Sequence, residues 1–288
     1  MDIRAFLSHI VQLDIRIRKA INTQMHGNFS SVFKGSGLEF SDLRQYQYGD
    51  DVRHIDWNST AKGHGTFIKL FKEEKEQTVF FLLDVSASQN IRIGDDSKLK
   101  TLKEVAGVLT FSAMQEAGNI GLCCYSDKSE KFIAPGAGKK HGYQVINELF
   151  KLIPENTGTD LKQALKFTLQ VLKRKSLIFV LSDFIDDDYH DLLRAMSKKH
   201  DLVIIQINSD VELKLPAMGI IPIYDPEKRK TTWVNTSTKS FKALLTQEIH
   251  TNAQDLNDLC KQWQANYIQI KAGGDFVPSL IKLFRIRK

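Results

Sequence analysis

Four continuous apolar runs, separated by amphipathic stretches, constrain this chain more than any other feature. The runs are TVFFLLD (78–84), NIGLCCYS (119–126), SLIFVLSD (176–183) and DLVIIQIN (201–208). Because the apolar residues do not alternate with polar ones, each run is typical of a strand buried on both faces. The intervening stretches repeat apolar residues at helical spacing, as at 99–113. Alternating strands and helices predict an α/β fold with a mostly parallel sheet and helices on both faces.

The remaining sequence divides around this core. Residues 1–26 predict an amphipathic helical arm docked on the main body, with a membrane-surface helix as the alternative that interrupting acidic residues disfavour. Residues 27–76 contain short runs broken by glycine and predict a β-rich N-terminal extension. Residues 77–288 form the main domain, with a hairpin insertion near 211–236 for which the sheet edge is one location.

Composition excludes several classes of protein. The chain has 288 residues, 42% of them hydrophobic, and a net charge of +6 with no clustered basic stripe, which argues against nucleic-acid binding. Its three cysteines lack the spacing of a disulfide framework and indicate a reducing compartment. The N-terminus lacks the layout of a signal peptide, and no apolar run is long enough for a membrane span. We therefore expect a cytoplasmic protein.

Polar side chains follow the strands where a ligand would be expected. Asp84, Ser86 and Ser88 end the first run, Thr159 precedes a helix, and Asp183 ends the SLIFVLSD run. The carboxyl ends of parallel strands share one edge of the sheet, where ligands gather. Each residue alone could be a turn former, and Thr159 could cap its helix. Together they form an all-oxygen set that suits a hard cation such as Mg²⁺.

This ordered set resembles the metal-ion-dependent adhesion site of von Willebrand factor A domains, and the resemblance covers residues 77 to about 270. It implies that Mg²⁺ or Mn²⁺ is the cofactor. It also implies that Ser86, Ser88 and Thr159 hold the metal through their hydroxyls, whereas Asp84 and Asp183 often act through water.

The N-terminal extension carries a second resemblance. Its motifs are GLEF (37–40), R-x-Y (44–46), YGDD (48–51), RHIDW (53–57) and the later Glu74. They resemble the bacterial family called domain of unknown function 58, whose members have a von Willebrand factor A-like domain and are associated with MoxR-type AAA+ ATPases. From the residues alone, the charged side chains here could form ion pairs that hold the extension to the main sheet, with Trp57 as apolar anchor, or could form a docking surface.

These observations predict a non-enzymatic, metal-dependent protein-binding module. Its partner would present an acidic side chain to the metal, and the family resemblance implies a MoxR-type AAA+ ATPase. The alternative is an Mg²⁺- or Mn²⁺-dependent hydrolase acting on phosphoesters, with Asp84 as nucleophile or ligand and a base from Asp186, Asp187 or Asp188. Against that alternative, Ser86 stands where a haloacid-dehalogenase phosphatase has a second aspartate, and no nucleophile elbow, Walker motif or HExxH helix is present.

Overall fold

The structure is a computed structural model. It describes residues 2–25, 38–62, 65–73, 77–90, 92–93, 96–116, 118–186, 188–209, 219–225, 230–235 and 238–287. Expectations that involve Glu74, Asp187 or residues 211–218 fall outside these ranges.

A central sheet organises the described part of the main domain. Its strands are β3 (Thr78–Asp84), β6 (Asn119–Tyr125), β7 (Ser129–Ala137), β8 (Leu177–Ser182), β9 (Asp201–Asn208) and β12 (Asn266–Lys271). They lie in the order β12-β9-β8-β3-β6-β7, and all neighbouring pairs are parallel except β6 and β7. The predicted α/β class with a mostly parallel sheet is therefore confirmed.

Helices cover both faces of this sheet. They are α3 (Lys98–Glu116), α4 (Lys139–Lys151), α5 (Leu161–Val171), α6 (His190–Lys199), α7 (Lys239–Gln262) and α8 (Val277–Ile286). The core accordingly forms two clusters, because successive residues of a strand point to opposite faces. Phe81 and Leu83 belong to one cluster, and Phe80 and Leu82 belong to the other. Within the described residues, no helix combines the length and the apolar character needed to cross a membrane.

The amphipathic helix expected near the N-terminus is α1 (Ile3–Met25). Its buried stripe consists of Phe6, Ile10, Leu13, Ile17 and Ile21, which join the same core cluster as the apolar residues of α3. Gly107 of α3 permits the close approach, because a Cβ there would overlap Cδ1 of Ile10. A buried carboxylate on α1, Asp14, accepts hydrogen bonds from Arg18 at 2.7 Å and from the Ser112 hydroxyl of α3. The helix is thus part of the core and not a free arm.

The hairpin expected near 211–236 is present in the described residues. Strand β10 (Ile220–Asp225) pairs antiparallel with β11 (Lys230–Asn235). Placing it on the edge of the main sheet was wrong, because the two strands form a separate two-stranded sheet. The sequence is consistent with this, because prolines are rare inside large sheets and β10 contains Pro222.

The extension also forms a two-stranded antiparallel sheet, made of β1 (Leu38–Gln45) and β2 (Phe67–Glu73). Between them lie a 3₁₀ turn at Val52–His54 and a short helix, α2 (Trp57–Thr60). Two minor strands, β4 (Arg92–Ile93) and β5 (Asp96–Ser97), pair before α3.

Of the two roles expected for the charged residues in the extension, a docking surface stays a prediction, and the pairs made by Arg44 and Arg53 contradict the other, which was to hold the extension to the main sheet. Arg44 forms a two-pronged pair with Asp50 at 2.9 and 2.7 Å, and Arg53 pairs with its near neighbour Asp51 at 2.7 Å. Both pairs stay within the extension: the first joins the end of β1 to the turn that follows, and the second lies within that turn. Asp56 instead caps α2 by accepting a hydrogen bond from the Asn58 N–H. Trp57 is 69% exposed and therefore is not an apolar anchor.

That exposure leads to a prediction for Trp57→Ala. We expect the free energy of unfolding to change by less than about 0.5 kcal/mol, because an exposed ring loses little apolar contact when removed. Urea denaturation provides the measurement. Trp263, which is partly buried against the core, is the matched control. Trp263→Ala should lower the free energy of unfolding by more than Trp57→Ala does. A larger loss of unfolding free energy at position 57 than at position 263 would show that the Trp57 ring is packed against the protein.

Candidate functional site

The candidate site lies at the switch point of the sheet. Strands β3 and β8 are neighbours, but the chain leaves β3 toward β6 and leaves β8 toward β9 on the opposite side. Connections that diverge in this way open a crevice at the carboxyl ends of the two strands. Asp84 is the last residue of β3, Ser182 is the last residue of β8, and Asp183 follows it.

Asp84 is fully buried at the floor of the site. Its Oδ1 accepts a hydrogen bond from the Ser86 N–H at 3.0 Å, and its Oδ2 accepts one from the Ser182 hydroxyl at 2.7 Å. The amide of Gln89 lies 3.5 Å from the same Oδ2. The bond to Ser86 is the one that a turn-forming aspartate makes, so Asp84 shapes the loop as well as lining the site. All three of these partners are neutral.

The two serine hydroxyls of the loop are adjacent. Ser86 Oγ lies 3.1 Å from Ser88 Oγ, with Ser86 buried and Ser88 half-buried. Gln89 adds another oxygen: its Oε1 is buried and has no hydrogen-bond partner among the described residues. A buried acceptor without a donor is costly unless something fills the gap. The Asp84–Gln89 loop therefore presents oxygen atoms in excess of its own donors.

The loop that carries Thr159 is hydrogen-bonded to the Asp84–Gln89 loop. The Ala87 N–H donates to the Thr157 carbonyl at 3.2 Å, and the Asp160 N–H donates to the Ser126 carbonyl at 3.0 Å. Thr159 itself is half-buried between these two attachments. The suggestion that Thr159 caps its helix was wrong, because Asp160 is the N-cap of α5 and accepts from the Gln163 N–H at 2.7 Å.

Asp183 has a partner that sequence reasoning missed. Its Oδ2 lies 2.7 Å from the ammonium Nζ of Lys98, the first residue of α3. The Lys98 side chain is 0% exposed and the Asp183 side chain is 3% exposed, so the pair is sealed from water. Phe184, which follows, is buried with a left-handed φ of 58°. Such a backbone costs a bulky residue about 1 kcal/mol or more, a strain that tends to collect at functional sites.

One of the two carboxylates thus has a cation beside it, and the other is surrounded by neutral donors. Burial raises the pKa of the Asp84 carboxyl above its ordinary value, and the nearby negative charge of Asp183 raises that pKa further. Hydrogen bonds from Ser86 and Ser182 act in the opposite direction. The charge of Asp84 is therefore the under-compensated one, and a cation placed beside it would be stabilised.

The donor set fits a hard divalent cation. Carboxylate and hydroxyl oxygens are the ligands that Mg²⁺ and Mn²⁺ prefer, and the Asp84–Gln89 loop presents both types together with the Gln89 Oε1 that lacks a partner among the described residues. The set contains two carboxylates only. No group of three or more His, Cys, Asp or Glu side chains suited to a metal occurs in the described ranges. The adjacent Ser86 and Ser88 hydroxyls are further oxygen donors at this site.

Two of the three aspartates proposed as a base for hydrolysis, Asp186 and Asp188, lie in the described residues and have other contacts. Asp186 Oδ2 accepts the N–H of Leu161 at 2.8 Å, which fixes the start of α5. The Asp188 side chain is 83% exposed and lies 3.7 Å from the Lys162 ammonium. Neither arrangement resembles a base held against a reacting water.

Comparison with known proteins identifies the family. Residues 42–255 match the model of "Protein of unknown function DUF58". The chain belongs to this family. The match confirms the resemblance carried by the N-terminal motifs.

Proteins of two mycobacteria are also similar to this chain. Uncharacterized proteins of Mycobacterium tuberculosis and Mycobacterium bovis are 22% identical to this chain over 218 residues, covering 75% of this chain and 69% of theirs.

Two solved structures are similar over most of this DUF58 chain. BatB from Bacteroides thetaiotaomicron is 10% identical, covers 73% of this chain and 98% of its own, and has a TM-score of 0.47. The SpRpn10 VWA domain is 12% identical, covers 72% of this chain and 94% of its own, and has a TM-score of 0.44.

A third structure is similar over a shorter part. Manganese-loaded TRAP protein of Plasmodium vivax is 16% identical over 46% of this chain and 57% of its own, with a TM-score of 0.37.

Proposed function

We propose that this protein is a non-enzymatic protein-binding module whose partner docks at the carboxyl edge of the sheet, with a divalent cation, Mg²⁺ or Mn²⁺, in the site. The proposal is supported by the buried Asp84 carboxylate at the switch point, which is held by donors from its own loop and from Ser182 of β8. The Ser86 and Ser88 hydroxyls lie 3.1 Å apart in that loop, and Asp183 follows the neighbouring strand. Metal ligands would be Asp84, Ser86, Ser88 and Thr159, with Asp183 beside them.

A cation held there would supply a positive charge that an acidic side chain of the partner can satisfy. Hydrogen bonds within the chain position the oxygen atoms of this site before a partner binds. Ser182 and the Ser86 N–H fix both oxygens of Asp84, and the backbone bond from Ala87 to Thr157 holds the second loop in register with the first. Preorganised groups of this kind lose little conformational entropy on binding.

A MoxR-type AAA+ ATPase is the partner we propose, following the family's association. Hydrolysis is disfavoured as the function because Asp186 is engaged by a backbone N–H and Asp188 lies in solvent. Steady turnover of a phosphoester in the presence of Mn²⁺ would reverse this choice.

The Asp84→Ala substitution tests the proposal. We expect the affinity for Mn²⁺, measured by isothermal titration calorimetry, to fall by about 100-fold or more, because the buried anionic ligand is lost. The protein should remain folded, since the Lys98–Asp183 pair is left intact and an under-compensated buried charge is removed.

Asp188→Ala is the matched control, because it removes an exposed carboxylate near the same edge and should leave Mn²⁺ affinity unchanged. The same three proteins are then tested for binding to the purified MoxR-type ATPase of the same genome, in Mg²⁺ and in excess chelator. Equal ATPase binding by wild type and Asp84→Ala, with or without chelator, would defeat the metal-dependent mechanism.

A further inference from the structure

Lys98 is an unusual residue to find at this position. Burying an ammonium is costly unless a counter-ion is close, and the N-terminus of a helix adds a further penalty because the helix dipole is positive there. Both costs apply to Lys98, because its side chain is fully buried and it is the first residue of α3. Asp183 at 2.7 Å offsets these costs but is itself a member of the candidate cation site.

The charges of the site can be counted with and without this lysine. When both carboxylates are ionised, as the binding of a cation requires, Asp84, Asp183 and the Lys98 ammonium sum to one net negative charge. A divalent cation would convert that to one net positive charge. Without Lys98, the same cation and the same two carboxylates would sum to zero. The lysine therefore decides whether the cation-loaded site is neutral or is left positive.

We propose that Lys98 is an internal counter-cation, which lowers the affinity of the site for a free divalent cation and leaves the loaded site one positive charge that an anionic side chain of the partner neutralises. This inference rests on the proposed function. It assigns to Lys98 a positioning and electrostatic role and does not make it a ligand.

The physical basis is repulsion in a medium of low dielectric. A fixed ammonium next to Asp183 repels an incoming divalent cation and also engages one of the two oxygens of the Asp183 carboxylate. An anion from the partner reduces this repulsion, so the cation and the acidic side chain each favour the binding of the other. A lysine whose charge did not reach the cation site would have no such effect on cation affinity.

The test measures Mn²⁺ affinity in variants of Lys98 by calorimetry, and independently by the electron paramagnetic resonance signal of free Mn²⁺. Lys98→Gln removes the charge but retains a donor for Asp183, and we expect it to bind Mn²⁺ more tightly than wild type by about tenfold or more. Lys98→Arg keeps the charge and should bind like wild type. Lys103→Gln, on the same helix, is the matched control and should also bind like wild type.

The outcomes separate this inference from the proposed function. If wild type and Lys98→Gln bind Mn²⁺ equally, or Lys98→Gln binds more weakly, the role of Lys98 is overturned while the metal site stands. If no variant binds Mn²⁺, the proposed metal-dependent function fails and this inference fails with it. If Lys98→Gln is unfolded without metal, its thermal melting is followed as Mn²⁺ is added. Recovery of a cooperative transition supports the proposal, and no recovery counts against it.

Discussion

Replacing Lys98 by methionine is expected to lower the free energy of unfolding by about 3–5 kcal/mol in metal-free buffer. Methionine fills much of the same space, so the loss reflects charge and not a cavity. Asp183, at 3% exposure, would be left as a buried carboxylate without its cation. Breaking one side of a buried pair is more damaging than removing both, because the remaining charge stays desolvated. Urea denaturation at neutral pH, with chelator present, measures the loss.

Two further variants make the interpretation specific. Adding Asp183→Asn to Lys98→Met removes the stranded charge and should restore part of the lost stability. Lys103→Met is the control on the same helix, because the Lys103 ammonium donates to the backbone carbonyls of Phe150 and Leu152 at 3.4 and 2.5 Å and no carboxylate is stranded when it is removed. Its loss should be about 1–2 kcal/mol. A smaller loss for Lys98→Met than for Lys103→Met would contradict the electrostatic account.

The main sheet could be predicted because burial on both faces leaves a clear trace in sequence. Val79 through Leu83 are all fully buried, and so are the residues of β8 from Leu177 to Leu181. Continuous apolar runs of this kind are rare on a protein surface, and they therefore predict the central strands directly. The pairing of β10 with β11 was predictable because two short runs of strand type stand close together in the chain, but the location of the hairpin was not. Whether a hairpin adds to a larger sheet depends on contacts that no local pattern encodes.

The ion pairs of the extension show the same limit. Arg53 and Asp51 are two residues apart and pair locally, whereas the sequence alone also allows either one to reach the main sheet. Trp57 carries the largest side chain of its segment, and a large apolar residue predicts burial only on average. Its exposure depends on the path of the turn between β1 and β2.

The sequence predicted which strand ends carry Asp84 and Asp183, but it did not predict the buried positive charge of Lys98 beside them. Asp84 and Asp183 follow recognisable strands, so their meeting at one edge follows from the topology. Lys98 is 85 residues from Asp183 in sequence, and nothing in the spacing links them. One signal was available: a lysine in the first turn of a helix opposes the helix dipole and so calls for a compensating anion. Ser182 was visible at a strand end, but its bond to Asp84 depends on the register of β8 against β3.

A substitution in the buried face of α1 is expected to reduce stability strongly, because this helix completes the core on one side of the sheet. We expect Ile10→Ala to lower the free energy of unfolding by about 2–5 kcal/mol, as is usual when a fully buried aliphatic side chain is cut back to a methyl group. Ile10 is 0% exposed and packs on Gly107 of α3, where the backbone of α3 has little freedom to move in and fill the space.

The same helix contains its own control. Ile15 has the same side chain but is 52% exposed, so Ile15→Ala should change the free energy of unfolding by less than about 0.5 kcal/mol. Both substitutions raise helix propensity equally, which leaves burial as the difference between them. Equal, small losses at positions 10 and 15 in urea denaturation would mean that α1 is not docked on α3 in solution. A large loss at position 10 alone would establish that the N-terminal helix is part of the folding unit that carries the site.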